Sequence, residues 1–131
     1  MSMLAMWRAA AAGERFLRDS RAPNGGYQIS WPVLGPSGRR AVDATRAVTA
    51  VRTISRARRG FPGAVDDALF LTAALRQLGL PVVFCLGRQL APSSPPAGFW
   101  AWVEADREVL STSLAVHEEY VVVYRNQPGD A

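Results

Sequence analysis

The sequence predicts an α+β fold, with N-terminal helices packed on a small antiparallel sheet. Two features of its hydrophobic pattern predict this fold. Up to about residue 80, apolar residues recur every three to four positions, which places them on one face of a helix. Beyond that point they alternate with a period of two, as in strands with one buried face. A length of 131 residues suits one domain, so we expect a single domain over 1–131.

Three helices are predicted before the sheet, each with an apolar face. The first ends at the turn-forming residues 23–26, and Gly60 ends the second because glycine readily adopts positive φ. Gly79 is expected in the C′ position of the third helix, just before Pro81. The predicted helices span 3–21, then from Ser37 or Gly38 to Arg59, and then from after Gly63 to Leu78.

The second half of the chain is predicted to form strands. Alternating or continuous apolar runs at 82–87, 99–105 and 120–124 predict three of them, and the second turns at 105–108 into Val109 and Leu110. Serine and proline residues at 92–96 predict an exposed loop, because proline is excluded from central strands. The turn-rich stretch at 27–38 is expected to be a loop with at most one short strand.

Composition narrows the classes of function. The net charge is +4, but the arginines are scattered, so we expect no nucleic-acid partner. No apolar run approaches the roughly 20 residues that span a bilayer, and no signal core is present, so we expect a cytoplasmic protein without a membrane partner. The single cysteine, Cys85, excludes an internal disulfide and a multi-cysteine metal site. We expect no metal and no cofactor.

Three motifs carry a family resemblance. They are Leu-Arg-Gln-Leu-Gly-Leu-Pro at 75–81, Trp-Ala-Trp-Val-Glu at 100–104, and a closing Tyr120 with Arg125. In order and spacing, residues 41–125 resemble the transglutaminase-like cysteine peptidases that process lasso-peptide precursors, whereas residues 1–40 diverge. The resemblance implies a transglutaminase-like fold.

The same resemblance implies that the peptidase triad is missing. The nucleophilic cysteine falls at Ala64, the general-base histidine at Trp100, and the orienting carboxylate near Ser111 or Thr112. A thiolate needs an adjacent, oriented imidazole, and all three roles are empty. Cys85 and His117 are weak substitutes: Cys85 lies in an apolar strand, where cysteine is usually inert, and His117 is expected to be solvated.

Other side chains are expected to surround the empty site. Alternation places Trp100, Trp102 and Glu104 on one face of a strand, and Asp66 and Asp67 lie in the first turn of the third helix. Core packing of the tryptophans, favourable interaction of the aspartates with the helix dipole, and a purely structural Glu104 remain open as simpler explanations. The candidate catalytic residues are Asp67, Glu104 and Asp66, and the candidate substrate-binding residues are Trp100, Trp102, Arg88 and Tyr27.

These groups suit a non-peptidase of natural-product biosynthesis. The first hypothesis is a cofactor-free enzyme that condenses a tryptophan-like amine with an aldehyde or keto acid, as Pictet–Spengler enzymes do. That reaction needs a carboxylic acid to move protons and an aromatic wall beside the cation. The alternative is an inactive pseudopeptidase that binds a precursor or leader peptide at a groove or sheet edge. A lid or homodimer contact formed by residues 1–40 is left open.

Overall fold

The computed structural model describes residues 2–36, 43–91 and 98–130. Within these ranges, no helix combines the length and the apolar character needed to cross a membrane. The elements in chain order are α1 (Met3–Ser20), α2 (Ala44–Arg59), α3 (Ala64–Gln77), β1 (Val83–Gln89), β2 (Phe99–Ala105), β3 (Glu108–Val109), α4 (Val116–Glu119) and β4 (Tyr120–Asn126).

Capping residues explain where the first two helices begin. The Ser2 hydroxyl accepts a hydrogen bond from the Ala5 backbone N–H at 3.1 Å, which satisfies one of the free amides of the first turn. Asp43 caps α2 in the same way. The predicted continuous helix from Ser37 or Gly38 is wrong, because Asp43 is extended and α2 begins at Ala44. Residues 37–42 themselves, and the predicted exposed loop at 92–96, lie outside the described residues.

Helix α3 is buried on all sides over residues 68–76, because α1, α2 and the sheet surround it. Gly79 follows it with φ of 83°, and its N–H donates to the Arg76 carbonyl. The predicted C′ glycine is therefore confirmed. Gly13 of α1 lies so close to α3 that a Cβ there would come within 2.7 Å of Phe70. This close approach brings the following residue, Glu14, beside the start of α3.

The strands form one antiparallel sheet in the order β3-β2-β1-β4. The predicted α+β class is confirmed, and the 99–105 strand has the predicted bounds. The inner face of the sheet, with Phe84, Ala101 and Val103, joins the core formed with the helices. The outer face carries a second apolar cluster around Cys85 and Trp102, covered by Val116 of α4.

Trp31 attaches the loop after α1 to the sheet. Its ring lies 5.0 Å from Phe84 and 5.9 Å from Tyr124, measured between ring centroids. The only pairing of this segment among the described residues is an isolated bridge between Arg21 and Tyr27, and the stretch after it is loop, as predicted. Trp31 thus packs against the sheet and does not reach the start of α3.

One buried arginine connects α3 to three other segments. The Arg76 side chain is enclosed, with the residue 1% exposed, and its Nε and Nη2 donate to the Val82 carbonyl at 3.2 and 3.1 Å. Nη1 donates to the Pro32 carbonyl and Nη2 to the Asn126 carbonyl, each at 3.1 Å. Burial lowers the pKa of Arg76 from its usual value. The loop, the start of β1 and the end of β4 are all held by this guanidinium.

We predict that Arg76→Met lowers the free energy of unfolding by about 3 kcal/mol, because buried carbonyls lose their donors. Urea denaturation followed by circular dichroism measures this change. Arg76→Lys keeps the charge but not the planar fork, so it should recover only part of the loss. Arg46→Gln, at an exposed position of α2, is the control and should unfold like the parent. Equal stability of Arg76→Met and the parent would mean that the hydrogen bonds of Arg76 do not stabilise the fold.

Candidate functional site

A cavity of about 200 Å³ lies where the start of α3 meets the start of β2. Ala64, Trp100, Ser111 and Thr112 all line it. These are the positions at which the family resemblance puts the nucleophile, the general base and the orienting carboxylate. We call it the Ala64 cavity. Its remaining lining residues are Arg52, Arg56, Pro62, Asp67 and Ala101.

An ion pair forms one wall of the Ala64 cavity. Arg52 contacts both carboxylate oxygens of Asp67, through Nε at 3.3 Å and through Nη2. The same Nη2 donates to the Ser111 carbonyl, so α2, α3 and the segment after β3 meet at this guanidinium. The side chains of Arg52 and Asp67 are 18% and 13% exposed. Such a paired and partly dehydrated contact holds the Asp67 carboxylate in a defined orientation.

Arg56 lies one helical turn after Arg52 and, within the part of the chain that the structure describes, forms no salt bridge. Its guanidinium carbon lies 4.8 Å from the centroid of the Phe61 ring. Its Nε is buried and has no hydrogen-bond partner among the described residues. Since Arg52 and Asp67 neutralise each other, Arg56 makes the Ala64 cavity positive. A buried donor without a partner costs about 1–3 kcal/mol, and a bound anion would remove that cost.

The lining of the Ala64 cavity holds neither a thiol nor an imidazole. The Ser111 hydroxyl accepts a hydrogen bond from the Val103 N–H at 2.9 Å, and the one carboxylate in the lining, Asp67, is paired with Arg52. In the described ranges, no group of three or more His, Cys, Asp or Glu side chains is placed to hold a metal ion. The arrangement can bind a carboxylate through Arg56 and an apolar group against the Trp100 indole.

Asp66 and Tyr27 lie together, but in a different place. The Tyr27 hydroxyl donates to Asp66 Oδ1 and the Arg21 Nη2 donates to Asp66 Oδ2, each at 2.6 Å. Burial and the hydrogen bond to Asp66 raise the pKa of Tyr27 to about 12. Asp66 lines a second cavity, next to α1. Consecutive residues of a helix point about 100° apart, and here Asp67 lines the Ala64 cavity whereas Asp66 lines the second one.

Trp102 and Glu104 lie on the outer face of the sheet. Trp102 Nε1 donates to Glu104 Oε2 at 2.6 Å, and His117 Nε2 lies 2.9 Å from the same oxygen. The predicted shared face is confirmed, but the neighbouring residues, Ala101 and Val103, are the ones that face α3. The expectation that this face lines the cleft therefore holds for Trp100 alone.

Cys85 and His117 do not form a catalytic dyad. Cys85 is fully buried, and burial, followed by the nearby charge of Glu104, raises the pKa of its thiol to about 12. A thiol with so high a pKa supplies almost no thiolate at neutral pH. His117 is half exposed and bound to Glu104 instead. Both positions agree with the inert cysteine and the solvated histidine that the sequence predicts.

Arg88 lies exposed on β1 and lines neither cavity. Sequence reasoning missed Arg52 and Arg56, because the arginines were treated as scattered surface charges. Their spacing of four residues beside the buried stripe of Val48 and Val51 was the available signal, since it places both at the edge of the buried face.

Comparisons with protein-family models, with curated proteins and with solved structures found no match to this chain.

Proposed function

We propose that this chain is a non-peptidase on a transglutaminase-like fold, and that it binds a carboxylate-bearing ligand in the Ala64 cavity without cleaving it. The observation that carries this proposal is the buried Arg56 Nε, which has no hydrogen-bond partner among the described residues and lies beside the ion pair of Arg52 and Asp67. A ligand carboxylate would bond to Arg56, and its apolar part would lie against Trp100.

A precursor peptide is the ligand class that we favour. A volume of about 200 Å³ suits one terminal or side-chain carboxylate with its neighbouring carbons, not a whole small-molecule pair. The sequence resembles peptidases that act on peptide precursors, and the missing thiol and imidazole would leave binding intact. The protein would then hold the precursor for another enzyme.

The condensing enzyme remains a second candidate on one specific observation: Asp67 and Trp100 line the same cavity. The amine and the aldehyde would join with loss of one water to form an iminium. The indole ring carbon would attack it, and the Asp67 carboxylate would accept the proton lost on rearomatisation. Asp66 and Glu104 lie elsewhere, so this candidate depends on the Asp67 carboxylate alone. That carboxylate already forms an ion pair with Arg52.

We predict that Arg56→Gln weakens carboxylate binding about tenfold or more, because a charge-assisted hydrogen bond is lost. The probe is a tripeptide ending in phenylalanine with a free carboxylate, and the same tripeptide as a C-terminal amide should bind more weakly. Isothermal titration calorimetry measures both. Arg46→Gln on the exposed side of α2 is the matched control and should bind like the parent. If Arg56→Gln binds the tripeptide as tightly as the parent does, Arg56 does not contact the ligand carboxylate.

Introducing the missing groups tests the resemblance. We predict that Ala64→Cys combined with Trp100→His reacts with iodoacetamide about tenfold faster at neutral pH than Ala64→Cys alone, because an adjacent imidazole activates a thiol. Mass spectrometry after timed quenching gives both rates, and the buried Cys85 should contribute no background. Equal rates in two folded variants would mean that positions 64 and 100 do not correspond to the peptidase pair.

The variant Asp67→Asn tests the condensing-enzyme candidate. If the chain condenses tryptamine with a small aldehyde, this variant should lose about 100-fold or more in kcat, the size of a general-base contribution. The cyclised product has the mass of the two reactants less one water, and chromatography separates it from the imine of equal mass that forms without the protein. Asp66→Asn is the matched control, since Asp66 also pairs with an arginine but lines the other cavity. No product from the parent protein would exclude the condensing candidate and leave the binding proposal standing.

A further inference from the structure

The second cavity has a volume of about 320 Å³ and lies between α1, the end of α2 and the start of α3. We call it the Glu14 cavity. Three arginines and two acids line it, together with apolar groups. It has the size of a small ligand site, at the lower end of the range of roughly 300–1,000 Å³. Its lining includes Glu14, Leu17, Arg18, Phe61 and Asp66.

Glu14 carries an acceptor that the fold leaves unused. Its side chain is 5% exposed, and its Oε2 is shared by Arg58 at 3.4 Å and Arg59 at 3.3 Å. Its Oε1 is buried and has no hydrogen-bond partner among the described residues. A buried carboxylate oxygen in this state needs a donor, and leaving it without one costs about 1–3 kcal/mol or more. An ammonium group would satisfy it.

The other charges of the Glu14 cavity indicate what else the ligand carries. Arg21 is bound to Asp66 at 2.6 Å, and Arg59 is bound to Glu14. Arg18 is 62% exposed, and its nearest acid, Asp19, lies 3.9 Å away at the limit of an ion pair. Arg18 is thus the cation that is available to a ligand carboxylate. Leu17 and Phe61 supply apolar surface in the same cavity.

We propose that the Glu14 cavity binds a free α-amino acid with an apolar side chain. The ammonium group donates to Glu14 Oε1, the carboxylate bonds to Arg18, and the side chain lies against Leu17 and Phe61. This ligand matches the unused acceptor, the available cation and the apolar surface together. The proposal concerns a different cavity from the Ala64 cavity, and the function proposed above is not needed for it.

Calorimetric titration of the protein with phenylalanine tests this proposal. Binding is expected, and phenethylamine and 3-phenylpropionate, which each lack one charged group, should bind at least tenfold more weakly. No binding of phenylalanine to the folded protein overturns the proposal. Phenylalaninamide that binds as tightly as phenylalanine also overturns it, because the occupant would then be the N-terminus of a peptide.

Two substitutions identify the contacts. Glu14→Gln should weaken phenylalanine binding at least tenfold, whereas Glu118→Gln makes the same chemical change at an exposed residue outside the Glu14 cavity and should have no effect. Because Glu14 is buried, its variant is checked for folding by circular dichroism. Arg18→Gln changes an exposed side chain and should fold normally, yet bind phenylalanine no better than phenethylamine. Unchanged selectivity in Arg18→Gln contradicts the assigned carboxylate contact. Neither Glu14→Gln nor Arg18→Gln should alter carboxylate binding in the Ala64 cavity. The amino-acid proposal can therefore fail while the proposed function stands, and the reverse.

Discussion

The hydrogen bonds of Arg76 are the constraint on which the rest of the structure depends. The last turn of α3 lies beside the start of β1 and the end of β4, two adjacent strands of the sheet, and buried backbone carbonyls at such a junction need donors. Here one guanidinium satisfies the carbonyls of Pro32, Val82 and Asn126. A planar group with several donors suits this role better than lysine would. These bonds help to hold α3 against the sheet, and the Ala64 cavity lies between the start of that helix and β2.

The direction of each side chain on α3 and β2 decides which cavity it serves. Helix geometry turns Asp67 toward Arg52 and Asp66 toward Arg21 and Tyr27. Strand alternation sends Ala101 and Val103 to the helices and Trp102 and Glu104 to the opposite surface. Residues adjacent in sequence are therefore divided among three separate environments. The acids that looked like one group in the sequence share no common site.

Periodicity and turn chemistry predicted the helices, the strands and the C′ glycine, because local sequence determines these features. Periodicity showed that Trp102 and Glu104 share a face, but it could not say which face meets the helices, since that depends on how the whole sheet packs. The Ala64 cavity was predicted through its four triad-equivalent positions and Asp67. Arg52 and Arg56 were missed because a charged residue at the margin of a buried stripe has the same pattern whether it faces solvent or an acid. Glu14 was missed for the same reason.

Pro62 lines both cavities, so it forms a common wall between them. A ligand that displaces this residue on one side changes the shape available on the other. By thermodynamic linkage, if a ligand in one cavity changes the affinity of the other cavity for its own ligand, the second ligand changes the affinity for the first by the same factor. Any coupling between ligands in the two cavities would therefore pass through the short connection between α2 and α3, which carries no charge.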